Sequence, residues 1–274
     1  MKLGRHLSRR KLLTAAGIGA ALVGVDALGI EPRWLQVTRH DVPIPSLPSA
    51  LEGFVIAQIT DAHLTALGQL ETQLLAELRR ASPQLVVLTG DLIDDSSQFG
   101  LLAELCAEIA KLGTRVVATL GNWEHWGHLP RAKLARTYAK ASAQLLVDEW
   151  HPYDRSLSLY ATDDSTGGHP APLSPRPHAE AIALLLTHSP AFVDEHPPPG
   201  ERSFDLCLAG HTHGGQINAG PFAPVVPPGS GRFVAGWYDT QLGPLYVSKG
   251  TGTSLVPARF CCRPELPLFR LRRA

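Results

Sequence analysis

Cysteine is scarce. The 274 residues hold four, Cys106, Cys207, Cys261 and Cys262, with no CxxC pair and no regular spacing. That argues against a disulfide scaffold. Cys106 and Cys207 lie in apolar runs and read as core thiols. Adjacent Cys261 and Cys262 would be strained as a mutual bridge, and the sequence leaves their state open. Net charge is also missing: 25 Lys and Arg balance 25 Asp and Glu. Nucleic-acid binders usually carry a basic surface, so the balance disfavours a nuclease, although a local basic patch stays compatible with it. Internal repeats are absent too. What the chain has in quantity is apolar residues (44%), 25 glycines and 23 prolines. That is enough for one sizeable loop-rich domain or two small ones.

The N-terminus reads as an address. Ser8-Arg9-Arg10-Lys11 precedes an apolar, small-residue run from Leu12 to about Val25. A basic segment followed by an apolar one is the layout of an export signal, and the arginine pair resembles a bacterial twin-arginine signal. Val25-Asp26-Ala27 would permit cleavage after Ala27. A membrane anchor with basic flanks fits the same residues. The expected organisation is a signal or anchor over 1–30, a proline-rich linker over 31–50 with a first edge strand at 34–37, and one folded domain over 51–274. The domain is then expected on the periplasmic or extracytoplasmic face, exported across the membrane or anchored in it.

Within the domain, apolar runs alternate with amphipathic segments. Buried strands are expected at 53–60, 85–90, 116–121, 182–187 and 204–209, with further strands at 145–147, 157–160, 245–249 and 268–271. Leu70, Leu74, Leu75 and Leu78 share one face of a helix over 69–80, which Pro83 stops. A second helix over 99–112 is closed by Gly113, and a third covers 130–140. Residues 166–178 read as an exposed loop. The Pro- and Gly-rich stretch 214–236 is long for a loop within a compact domain and reads as a flap beside a site.

Five of the strands end in metal-ligand residue types: Asp61 with His63, Asp91, Asn122, His188, and His211 with His213. Alone, each has an ordinary explanation as a turn former or a surface histidine; their coincidence does not. Sites in α/β sheets form outside the carboxyl ends of strands. In an extended Gly210-His211-Thr212-His213 segment both histidines would face the same way. Mixed oxygen and imidazole donors suit Mn, Fe or Zn. Seven donors exceed one tetrahedral ion and suit two ions roughly 3.5–4 Å apart sharing a carboxylate.

Asp61-x-His63, Gly90-Asp91-x-x-Asp94, Gly121-Asn122, His188 and Gly210-His211-x-His213 together resemble the ordered motifs of the calcineurin-like metallophosphoesterases. The likeness runs from about Phe54 to Leu271. With the twin-arginine start and Gly214-Gly215-Gln216, it is most similar to an exported, membrane-associated phosphodiesterase branch. The resemblance implies a four-layer α/β/β/α sandwich of the metallo-dependent phosphatase type. It also implies one metal on Asp61, His63, Asp91 and His213, another on Asp91, Asn122, His188 and His211, and Asp91 bridging.

One position departs from the pattern. The family usually has His directly after the Asn, as acid or phosphate ligand; here it is Trp123, and indole is no general acid. His125 is the catalytic candidate to replace it, with His128 as an alternative on the same loop. Otherwise the enzyme relies on its metals and favours leaving groups that need no proton. Trp123 and Trp126 read either as packing or as an apolar wall for a lipid-linked phosphoester. The expected activity is dinuclear-metal hydrolysis of a phosphoester, a diester before a monoester, by metal-activated hydroxide. The rivals are a non-catalytic metal-binding recognition domain and, less favoured, a nuclease.

Overall fold

The computed structural model describes residues 9–178, 180–196 and 204–274. Residues 1–8, which include Ser8 of the signal reading, lie outside the described residues.

In chain order, helix α1 (Arg9–Val25) leads into strand β1 (Gln36–Ile44), β2 (Val55–Ile59), α2 (Gln69–Ala81), β3 (Leu85–Thr89), α3 (Phe99–Ala110) and β4 (Arg115–Thr119). Then come α4 (Asn122–Trp126), α5 (Arg131–Lys140), β5 (Ala143–Leu145), β6 (Glu149–Pro152), β7 (Leu157–Ala161) and β8 (Ile182–Leu186). The chain closes with α6 (Phe192–Glu195), β9 (Leu206–Ala209), β10 (Gly236–Asp239), β11 (Pro244–Val247) and β12 (Glu265–Arg273).

Two six-stranded sheets face each other, ordered β1-β12-β2-β3-β4-β5 and β10-β11-β9-β8-β7-β6. β2 to β5 run parallel in the first, and β11, β9, β8 and β7 run parallel in the second. The central strands β3, β8 and β9 are almost wholly apolar and buried at every position because both faces of each sheet are covered there. Val86 and Leu88 of β3 pack with α2, α3 and α5, whereas Leu85 and Val87 point at the second sheet. Leu184 and Leu186 of β8 meet them there, and Ala183 and Leu185 face the other way. That alternation is the period of two of a strand. The result is the expected four-layer α/β/β/α sandwich. Its last layer is thin: the four residues of α6 and the loop around Phe233 and Leu242 cover the second sheet.

Two features differ from the sequence reading. Residues 31–50 are not a linker, since they carry the nine-residue β1, paired in parallel with β12 along its whole length. Prolines masked this, but Pro43 sits near the end of an edge strand, where a missing N–H is tolerated. Glu31, just before β1, is buried. The short β6 and β10 lie at sheet edges, where no side chain of either strand is fully buried and no apolar run announces them.

Candidate metal centre

All the expected ligand residues follow parallel strands and meet at one end of the two sheets. Asp61 and His63 follow β2, Asp91 follows β3, Asn122 opens α4 after β4, His188 follows β8, and His211 and His213 follow β9. Each is buried. They form two groups able to hold a metal ion: Asp61, His63 and His213, and Asp91, His188 and His211, with ligand atoms within 4.8 Å of one another in each. Asn122 Oδ1 belongs beside the second group, 2.8 Å from His211 Nδ1 and 3.1 Å from His188 Nε2. Asp91 Oδ2 lies between the groups, 3.0 Å from His188 Nε2 and 3.9 Å from His63 Nε2.

The backbone there is strained. Asp61, His63, Asp91, His211 and His213 all have positive φ, from 43° to 71°. The left-handed region costs an L-residue roughly 1–2 kcal/mol, although Asp and His visit it more readily than most. Non-glycine residues in this region cluster at functional sites. This corrects the reading of His211 and His213 as one extended segment. The backbone turns at both residues, and the two rings enter different groups. Glycines make room for the turns. A Cβ on Gly210 would lie 2.1 Å from Thr60 Oγ1, and one on Gly121 would lie 2.2 Å from Asp91 Oδ1.

Three imidazoles have their outer nitrogen occupied. His63 Nδ1 is 2.6 Å from Asp94 Oδ1, His188 Nδ1 donates to the Thr89 carbonyl at 2.8 Å, and His211 Nε2 donates to the Pro228 carbonyl at 2.6 Å. An imidazole donating from one side presents a lone pair on the other. With these rings neutral, the inward atoms are acceptors facing acceptors: His188 Nε2 to His211 Nδ1 at 3.2 Å, and both to Asn122 Oδ1. Such a nest is stable only around something electrophilic, and its nitrogen and oxygen donors fit divalent cations. Burial and neighbouring His188 lower the pKa of His211, and burial and His63 take His213 well below its ordinary value. Both thus keep free lone pairs. Burial opposes a charge on His188, but Asp91 and Asp61 more than offset it and raise its pKa well above the ordinary value. A proton and a cation compete for the same negative pocket.

Glu124 escaped the sequence reading. Its buried carboxylate accepts from the N–H groups of Asp91 (2.9 Å), Leu92 (2.8 Å) and Gly121 (2.8 Å), binding the β3 loop to the start of α4. Burial and the charge of Asp91 push it up to about 7. The available signal was Gly121-x-x-Glu124, the spacing of a capping box. The stretch 214–236 is likewise more than a flap, because Pro228 holds His211 and the Val234 carbonyl accepts from Thr212 Oγ1.

A cavity of about 680 Å³ opens over the two groups, walled by Trp123, Trp126, Ile217, Val225 and Leu255. His125 does not line it. It sits in a separate hollow with Arg131 and His128, its Nε2 2.6 Å from Asp163 Oδ1. Trp123 packs edge-on against both His63 and Trp126.

Residues 54–215 match the family model described as calcineurin-like phosphoesterase. The chain is 29% identical to an uncharacterized metallophosphoesterase, YkuE, of Bacillus subtilis over 98% of this chain and 99% of that one. It is 28% identical to the phosphodiesterase YaeI of Escherichia coli, over 97% and 99%. A dimetal phosphatase from Danio rerio aligns over 73% of this chain and 88% of its own, with a TM-score of 0.44 at 12% identity.

Proposed function

The chain belongs to the calcineurin-like phosphoesterase family, and from that premise we propose that it is a two-metal phosphodiesterase working at the outer face of a membrane. Asp61, His63 and His213 hold one cation, Asn122, His188 and His211 hold the other, and Asp91 serves both. The observation that carries this reading is the convergence of inward lone pairs around Asp91 Oδ2. Bound divalent cations supply Lewis acidity toward phosphate oxygens and acidify water.

The protein's own part is positioning. Asp94, the Thr89 carbonyl and the Pro228 carbonyl fix which nitrogen each histidine presents. Glu124 and the Trp123 N–H, which donates to Asp91 Oδ1 at 2.8 Å, hold the shared carboxylate in place. The loops after both sheets close over the groups, leaving them between 0% and 6% exposed.

Among the described residues, no titratable side chain other than the ligands lines that cavity. The placement of His125 gives it no path to a departing group there. Leaving groups that depart as stable anions are therefore favoured, which suits activated diesters. The similarity to the phosphodiesterase YaeI supports the diester reading. Arg9–Arg33 is helical, long and apolar enough to cross a membrane, which supports the location. The test is a series of aryl phosphodiesters with Mn. Rates should fall steeply as the phenol becomes less acidic. A flat series would show that a proton donor operates after all, and no hydrolysis of any member would remove the hydrolase reading.

A further inference from the structure

The cavity over the metal groups is apolar to a degree that phosphate binding does not require. Its rim is also exposed: Leu255 is 90% exposed, Val225 72%, Trp126 51% and Val256 49%. A contiguous exposed apolar rim around a binding cavity marks an interaction surface.

The N-terminal segment indicates what covers it. Leu13, Ile18 and Leu22 of α1 are solvent-exposed, at 71%, 59% and 65%. The segment after α1 is tied to the loop that carries the rim. The Arg259 N–H donates to the Ala27 carbonyl at 2.9 Å, and the Glu31 carboxylate accepts from the N–H groups of Cys261 (2.9 Å) and Cys262. Leu255 and Val256 lie in that same loop. Gln216, three residues past His213, donates to the Val256 carbonyl at 2.8 Å. Leu28 and Pro32 line a hollow that His63 also lines. The segment that follows α1, the part of the rim formed by Leu255 and Val256, and the ligand loop are thus joined by hydrogen bonds. A helix inserted in the bilayer brings the rim to its surface, where apolar side chains gain by leaving water.

Resting on the hydrolase reading above, we propose that this cavity takes the alkyl chain of an amphipathic phosphodiester drawn from the bilayer on which α1 holds the domain, while the metal groups take its phosphate. The chain stays with the product. The oxygen of water bonds to phosphorus as the phosphorus–oxygen bond to the other substituent breaks; that substituent departs as its anion with the electron pair, the proton lost by water passes to solvent, and an alkyl phosphate remains.

The test uses the full-length, Mn-loaded protein in phosphatidylglycerol vesicles. Its substrates are 4-nitrophenyl alkyl phosphodiesters from ethyl to dodecyl, which release nitrophenolate. The expected result is a rise in kcat/KM of about tenfold or more across the series, as each buried methylene contributes to binding. In the double variant Leu255→Asp, Val256→Asp the dodecyl-to-ethyl ratio should fall below about threefold. A second readout needs no turnover: vesicles with brominated acyl chains should quench tryptophan fluorescence, and Trp126→Phe should remove a measurable part of that quenching. A flat chain-length series with the ethyl ester still hydrolysed, or quenching unaffected by Trp126→Phe, overturns the proposal and leaves the hydrolase reading standing. Failure to hydrolyse even the ethyl ester overturns both.

Discussion

Removing the charge of Glu124 should loosen the centre without touching a ligand. Glu124→Gln keeps the shape and exchanges one acceptor oxygen for an NH2. The remaining oxygen can take the place of Oε2, between the N–H groups of Asp91 and Gly121. The new NH2 then faces the Leu92 N–H at the 2.8 Å now spanned by a hydrogen bond, donor against donor. A buried unsatisfied donor costs about 1–3 kcal/mol, and the two surviving bonds lose charge assistance worth roughly 1 kcal/mol each. Against this, the substitution relieves a buried charge that repels Asp91 and has been pushed up to about 7. The net is about 1–3 kcal/mol for Gln and, with three donors orphaned, about 3–5 kcal/mol for Ala. Because the loop that moves carries Asp91, Mn affinity should drop by about 10–100-fold. Urea unfolding and Mn titration measure the two effects. If both variants keep wild-type stability within about 0.5 kcal/mol and bind Mn unchanged, Glu124 does not organise the site.

Three further outcomes follow from the same geometry. Asp91→Ala should abolish hydrolysis yet still fold, because it removes a buried charge that repels Asp61 and Glu124; circular dichroism and turnover decide this, and full activity would end the shared-ligand assignment. Gly210→Ala places a methyl 2.1 Å from Thr60 Oγ1 and 2.4 Å from Asp61 Oδ2, so stability should drop by about 2–4 kcal/mol, read by thermal melting with and without Mn. The His125–Asp163 pair gives a pH signature. Its hydrogen bond to Asp163 raises the pKa of His125 above 6.5, so its stabilisation is complete below that value and fades as pH climbs through the raised one. Burial opposes the charge of Asp163, but His125 and backbone N–H groups hold its pKa below 3.8, so its share is lost as pH falls through the lowered value. His125→Gln should therefore lose most stability between pH 3.8 and 6.5. A pH-independent difference in urea unfolding would mean the pair is not ionic.

The chain announced its site through residue type and order. A strand that ends in Asp, Asn or His does so visibly, because apolar runs such as Leu85–Thr89 stop at the first polar residue. Bringing those ends together needs only parallel strands in adjacent βαβ units, which the alternation of runs and amphipathic helices implies. Backbone conformation was not legible. Extended geometry explains His211-x-His213 on paper, but positive φ at both residues sends the rings to separate groups. Support from distant carbonyls, such as Pro228 behind His211, is equally silent, since any residue can supply a carbonyl. Glu124 was not legible because two of its three partners, the N–H groups of Asp91 and Leu92, lie more than 30 residues away in sequence and are backbone groups that any residue supplies. The edge strand expected at 34–37 meets only the start of β1, whose continuation to Ile44 was hidden by the composition of a linker; its partner β12 lies more than 220 residues away in sequence, beyond any local pattern.

Elemental analysis of the purified full-length protein, alongside Asp91→Asn, bears most directly on the central claim. The account requires close to two divalent ions per chain in the native protein, and loss of at least one when Asp91 is replaced. A single ion per chain in the native protein, or two ions retained by Asp91→Asn, would contradict it.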